Sequence, residues 1–175
     1  MKLRLDEEHL SYINGEASFY SMRENDISIK THTIYNSGKC IAYNNSAKID
    51  EKYCHLVHSI VFDENVTSIR ANAFRNCYTL SVLDLSKTNI TSIEDYAFAD
   101  CVNLENINLS NVTSVGTRAF WNCRELKVVK MPNVTSIGKY VFDGLHYHKL
   151  TIVVGNSNIA EQLRKEYPNV EIIVE

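Results

Sequence analysis

From Thr67 onward the apolar residues return in a fixed order. TSIRANAFRNCYTLSVLDLS from Thr67, TSIEDYAFADCVNLENINLS from Thr91 and TSVGTRAFWNCRELKVVKMP from Thr113 align column by column, and a truncated copy, TSIGKYVFDGL, begins at Thr135. The copies start 24, 22 and 22 residues apart. A period in that range predicts stacked units, each burying its apolar face only against its neighbours. The inward columns are Ile69, Ile93, Val115 and Ile137; Ala73, Ala97, Ala119 and Val141; Phe74, Phe98, Phe120 and Phe142; and Leu80, Leu104 and Leu126. After each leucine the pattern switches to period two, through Leu83 and Leu85, Ile107 and Leu109, Val129 and Met131. That alternation predicts one short strand per unit. The Ala-Phe pairs predict a short helical turn on the opposite side.

Both ends of the array read as caps. VHSIVFDENVTSI, from Val57, is a degenerate copy with Ile60 and Phe62 where Leu83 and Leu85 stand. Before it, ISIKTHTIY, NSGK and CIAY alternate apolar and polar residues around an Asn-Ser-Gly turn, which predicts a β-hairpin. Downstream, LTIVV is a last repeat strand. Asn158 with Glu161 forms a capping box for a helix carrying Ile159, Leu163 and Tyr167 on one face, ended by Pro168 and followed by the strand VEIIV. Residues 1–26 carry no clear pattern. The expected division is an N-terminal cap region with a hairpin over 1–56, a solenoid over 57–154, and a cap of helix plus strand over 155–175.

Composition narrows the chemistry. The chain has 175 residues, 45% hydrophobic and 22% charged, enough for one domain with a buried core. A net charge of −3 with scattered Lys and Arg argues against nucleic acid, whose binders concentrate positive charge on one face. Lys2, Arg4, Asp6, Glu7 and Glu8 interrupt any secretory apolar run, and no stretch is long enough for a bilayer, so no membrane association and a cytoplasmic location are expected. Cys77, Cys101 and Cys123 hold one phase of the repeat, where turns about 4.8 Å apart would stack them as a buried column of thiols.

The frame T-S-I-x-x-x-A-F-x-x-C-x-x-L-x-x-[VIL]-x-L resembles the BspA-like leucine-rich repeats. The likeness covers roughly residues 57 to 154, and GKCIAYNNSAKIDEKYCHLVHSIVF looks like the family's entry cap. The resemblance implies an α/β, right-handed leucine-rich-repeat solenoid with a parallel sheet on one face, short helical turns opposite, and end caps. It also implies action through protein binding, often within secreted or cell-surface adhesins.

Two surfaces are candidates for a partner. On the sheet face, outward strand positions include Asp84, Asn108 and Lys130 among Ser59, Val61, Asp63, Val82, Ser86, Asn106, Ser110, Val128 and Thr151. These side chains are small and lack aromatic anchors. On the turn side, Tyr96, Arg118 and Tyr140 share one column and Trp121, the only tryptophan, lies just beyond it. Tyr, Trp and Arg dominate interface energetics, because rigid aromatic area is ordered at little entropic cost. The plainer alternative is that they shield the ridge of the solenoid.

No cofactor is implied. Cys54, His55 and His58 cluster at one end and His146 with His148 at the other, without the paired spacings of a closed zinc site. Nucleophile-elbow, phosphate-loop and zinc-protease motifs are missing, so an enzyme is not expected. The N-x-T and N-x-S triplets headed by Asn65, Asn89, Asn108, Asn111 and Asn133 arise from the repeat's own turn. Gly116 and Gly138 are assigned to the turn before each helical segment. The expected function is a non-enzymatic protein-binding module, a small intracellular inhibitor or adaptor that occludes or holds a partner. The alternative is a cell-surface or secreted adhesion module binding host proteins or glycans. Exposed strand edges at a poorly capped end offer a third role, pairing two copies.

Overall fold

The computed structural model describes the backbone of residues 8–13, 16–22 and 28–34 and, with their side chains, residues 39–45, 47–145 and 150–175. The Asn-Ser-Gly turn and His146 and His148 lie outside the described residues.

The first strands form a mixed sheet. β1 (Glu8–Ile13), β2 (Glu16–Met22), β3 (Ser28–Ile34) and β4 (Lys39–Ala42) pair antiparallel in order, and β5 (Ser59–Phe62) joins β4 in parallel. The expected pairing of β3 with β4 is present, with Thr33 opposite Ile41. The segment without a legible pattern therefore holds two strands, β1 and β2.

The repeats then build two parallel sheets. One runs β7 (Val82–Asp84), β9 (Asn106–Asn108), β11 (Val128–Met131), β13 (Thr151–Val154) and β14 (Glu171–Val174). It is the strand expected after each leucine, and its register holds Leu83 beside Ile107 and Ile107 beside Val129. The other was not foreseen. Ser-Ile and Ser-Val pairs make the two-residue strands β6 (Ser68–Ile69), β8 (Ser92–Ile93), β10 (Ser114–Val115) and β12 (Ser136–Ile137). Such short strands leave no period to read, and only the neighbouring turns make them a sheet. Asn45 closes its first edge, its Oδ1 accepting the N–H groups of Thr67 at 2.8 Å and Ser68 at 3.1 Å.

A third ladder runs through the turns around the phenylalanines. The segments expected as short helical turns are successive hydrogen-bonded turns, Ala73 to Arg70, Arg75 to Asn72 and Cys77 to Phe74. Left-handed residues punctuate them at Asn72, Tyr96, Arg118 and Tyr140 (φ 55–58°) and at Asn76, Asp100 and Asn122 (φ 59–62°). The reason is the next turn of chain. An α-helix directs its N–H groups along its own axis, whereas here alternate N–H groups donate to the following unit. Phe74 donates to Ala97 O at 2.8 Å, Phe98 to Ala119 O at 2.8 Å and Phe120 to Val141 O at 3.1 Å.

The phenylalanines form one stack. Ring centroids of Phe74, Phe98, Phe120 and Phe142 are 5.4, 5.5 and 6.0 Å apart, with interplanar angles of 11, 4 and 9°. Phe62 closes one end edge-on at 5.7 Å and Tyr167 the other at 6.1 Å. Beside the stack, Cys101 and Cys123 point their thiols at the carbonyls of Phe74 and Phe98, each at 3.2 Å. Upstream, Cys54 reaches the other way, to Arg75 O of the following unit at 3.1 Å. All five cysteines are buried free thiols.

Two details differ from expectation. Gly116 and Gly138 are not left-handed; a Cβ at Gly138 would lie 2.4 Å from the Thr117 nitrogen, and one at Gly116 would lie 2.6 Å from that of Asp95. Glycine is there for the close approach of adjacent turns, not for the turn's own conformation. The C-terminal helix α1 (Ser157–Glu166) is capped by Asn156, not Asn158. Asn156 is extended, and its side chain accepts from the N–H groups of Asn158 and Ile159. Glu161 pairs instead with Lys165 one turn on, at 3.4 Å. Ile159, Leu163 and Tyr167 are buried as expected.

Candidate protein-binding surface

Tyr96, Arg118 and Tyr140 are brought together by the left-handed backbone they share. The Arg118 guanidinium lies between two rings, 5.7 Å from the Tyr96 centroid and 5.2 Å from that of Tyr140. Arg75 covers the other face of this row, 5.6 Å from the Tyr96 ring. The result is an alternating ladder of Arg75, Tyr96, Arg118 and Tyr140. A cation beside an aromatic face is attracted by the ring quadrupole, by roughly 0.5–1 kcal/mol at exposed sites.

Polar contacts hold the ladder in place. Arg118 donates from Nη1 to the Tyr96 hydroxyl at 2.5 Å, which favours its charged form. Arg75 is ion-paired to Asp100 at 3.3 Å, and Asp100 also accepts from Asn122 at 2.8 Å. Tyr140 is 44% exposed, while Tyr96, Arg118 and Trp121 are half-buried. Trp121 takes no part in the ladder through its ring. Its backbone donates to Arg118 O within its own turn and accepts from the Asp100 N–H of the preceding one.

The sheet face places Asp84, Asn108 and Lys130 side by side in register. Two of them are engaged locally. Asp84 Oδ1 accepts the Ser86 N–H at 3.0 Å, and that bond holds the carboxyl below its ordinary range. Asn108 accepts from the Ser110 hydroxyl at 2.6 Å. Exposed apolar residues on this side include Val82, at 54%, Val61, at 44%, and Ile173, at 40%.

A shallow groove of about 440 Å³ follows the two-residue strands, over Ser92, Ser114 and Ser136. Its carboxylates are already used: Glu94 accepts the Ala71 N–H at 3.0 Å and Asp95 that of Thr117 at 2.7 Å. Among the described residues no three His, Cys, Asp or Glu side chains converge as a metal site, and no helix is long and apolar enough to cross a membrane. His55 and His58 are exposed and Cys54 is buried, so that trio does not face one point. The triplet asparagines Asn89, Asn111 and Asn133 donate their side-chain amides to carbonyls of the preceding turn, at Glu64, Ser86 and Ser110.

Repeating columns, stacked phenylalanines and parallel ladders match a known pattern. The model of the BspA type leucine rich repeat region matches residues 51–167, in six copies. The chain belongs to this family. The match extends past the T-S-[IV] frame to the segments that carry Cys54 and Tyr167, the residues that prolong the thiol column and the ring stack. No curated protein sequence matches the chain. Among solved structures, a leucine rich cell surface protein from Faecalibacterium prausnitzii is similar, with a TM-score of 0.55 and 22% identity over 85% of this chain and 45% of that one. A leucine-rich repeat protein from Eubacterium ventriosum gives a TM-score of 0.51 at 19% identity, over 82% of this chain and 45% of that one. One from Bacteroides ovatus gives 0.50 at 18% identity, over 87% and 47%. The chain thus spans about half the length of the solved structures it matches.

Proposed function

We propose that this chain is a non-enzymatic protein-interaction module whose contact face is the ridge of Tyr96, Arg118, Trp121 and Tyr140. Membership of a leucine-rich-repeat family supports binding in place of catalysis. The observation that carries the choice of face is the backbone. Asn72 occupies the first left-handed site of the column, as suits a residue tolerant of that conformation. The next three turns put Tyr, Arg and Tyr there at φ of 55–58°. Bulky side chains in that region cost of order 1–3 kcal/mol each, and such strain gathers at binding sites.

The setting we favour is an adhesion module at the cell surface, since a structurally similar protein is described as a cell surface protein. The cytoplasmic inhibitor or adaptor is the second setting, motivated by the charges at Lys2, Arg4, Asp6, Glu7 and Glu8. Photo-crosslinkers placed at Trp121 and, as a control, at Lys127 test the face in the source cells. Adducts from position 121 alone, lost in Arg118→Gln, support the ridge; equal adducts from both positions argue against it. Protease shaving of intact cells separates the settings.

A further inference from the structure

We infer that the Arg118 guanidinium, clamped between the Tyr96 and Tyr140 rings, is a carboxylate-recognition site for an acidic segment of a protein partner. The inference rests on the ridge being the contact face and deepens that reading by naming the chemistry it takes.

The guanidinium carbon lies between the two tyrosines, 5.7 and 5.2 Å from their ring centroids. The edge of a guanidinium is the part that forms paired N–H donors to a planar carboxylate. Of five N–H donors one goes to the Tyr96 hydroxyl. Among the described residues no carboxylate lies within ion-pair distance of Arg118, whereas the neighbouring Arg75 is matched by Asp100 at 3.3 Å. The ladder therefore presents one cation without a direct ion pair. Stacking also holds the arginine in place before any partner arrives, which removes much of the entropy loss of ordering a long side chain.

A carboxylate suits this site better than a phosphate. Asp143, in the next turn, acts on the same guanidinium electrostatically, and Asp100 stands beside Arg75. Those charges weigh against a dianion, and a second free cation to share one is missing from the ladder. A single negative charge opposite a single fork balances.

A random peptide library panned against the whole chain supplies the probes. Winning peptides are resynthesised with each Asp or Glu replaced by Asn or Gln, and in a second series by phosphoserine. Binding is read by anisotropy and by the fluorescence of Trp121, the only tryptophan. The expected winners are acidic. Their neutral forms should bind roughly 10- to 100-fold more weakly, as loss of a charge-assisted pair predicts. Arg118→Lys, which keeps the charge without the fork, should lose most of that affinity, with thermal unfolding unchanged from the wild type. Winners indifferent to neutralisation, or phosphoserine forms that bind more tightly than the acidic ones, overturn the inference. If such winners still depend on Trp121→Ala and Tyr140→Asn, the ridge reading survives without it. Winners insensitive to all three substitutions, or a library with no winners, overturn both.

Discussion

The hydroxyl of Tyr167 stands 3.1 Å from the backbone nitrogen of Phe142, in the place where each earlier turn meets a carbonyl of the turn that follows. One residue back, the Glu166 carboxylate accepts the N–H of Tyr140 at 2.5 Å. Two side chains from the end of the helix thus stand in for the backbone of a further repeat. A stacked array leaves its last turn with unanswered donors, and buried donors without partners cost about 1–3 kcal/mol each.

Tyr167→Phe tests this directly. The ring keeps its edge contact with Phe142, but the acceptor is gone. The variant should lose about 1–3 kcal/mol, a fall in Tm of roughly 2–4 °C per kcal/mol for a chain of this size. Hydrogen exchange at the Phe142 amide should accelerate well before that at Phe98. Uniform acceleration across the repeats would show that Tyr167 acts on the whole stack and not on its end.

Gly138→Ala should be among the more damaging small substitutions. Its Cβ would meet the Thr117 nitrogen at 2.4 Å, backbone against backbone, so two turns must part. A loss of about 1–3 kcal/mol is expected from overpacking. A urea midpoint equal to that of the wild type would contradict the close approach.

The buried thiols predict weakness at alkaline pH. Burial pushes Cys40 up to about 12 and raises Cys101 and Cys123 above the ordinary thiol range. Unfolded cysteines ionise near pH ~8.5. A folded-state pKa above the unfolded one gives stability that is complete below about 8.5 and falls as pH rises toward the folded value, by about 1.4 kcal/mol per pH unit for each thiol. Urea midpoints should therefore drop between about pH 8 and about pH 10, and Cys101→Ala should shallow the slope. A slope unmoved by Cys101→Ala would place the alkaline sensitivity elsewhere.

Tyr140→Asn should separate stability from binding. Asn is comfortable at the left-handed φ that Tyr140 adopts, as Asn72 is in the first copy. Relief of backbone strain should offset the lost contact with Arg118, leaving stability within about 1 kcal/mol of the wild type. Partner binding, assayed with the panned peptides, should fall. A large loss of stability would make the ladder a structural brace.

Much of this architecture can be read from one-dimensional periodicity. Phe74, Phe98, Phe120 and Phe142 stack because equal spacing puts equal residues at equal heights, and Leu83, Ile107 and Val129 fall into register for the same reason. The column of Tyr96, Arg118 and Tyr140 was legible on the same ground. Its alternation of rings with a guanidinium was not, because that depends on how side chains lean between turns. Cap positions were less legible still. Asn156 outcompetes Asn158 because its extended backbone lets Oδ1 reach two helix N–H groups.

Repetition in the chain therefore settles which residues point inward and how units succeed one another, since burial of apolar columns admits no other phase. Folding in three dimensions decided the rest: left-handed turns in place of helical ones, a second sheet of two-residue strands, and the side chains that finish each ladder at Asn45, Glu166 and Tyr167. Each of these answers a donor or a steric limit set by a neighbouring turn more than twenty residues away, and no local pattern encodes a partner that distant.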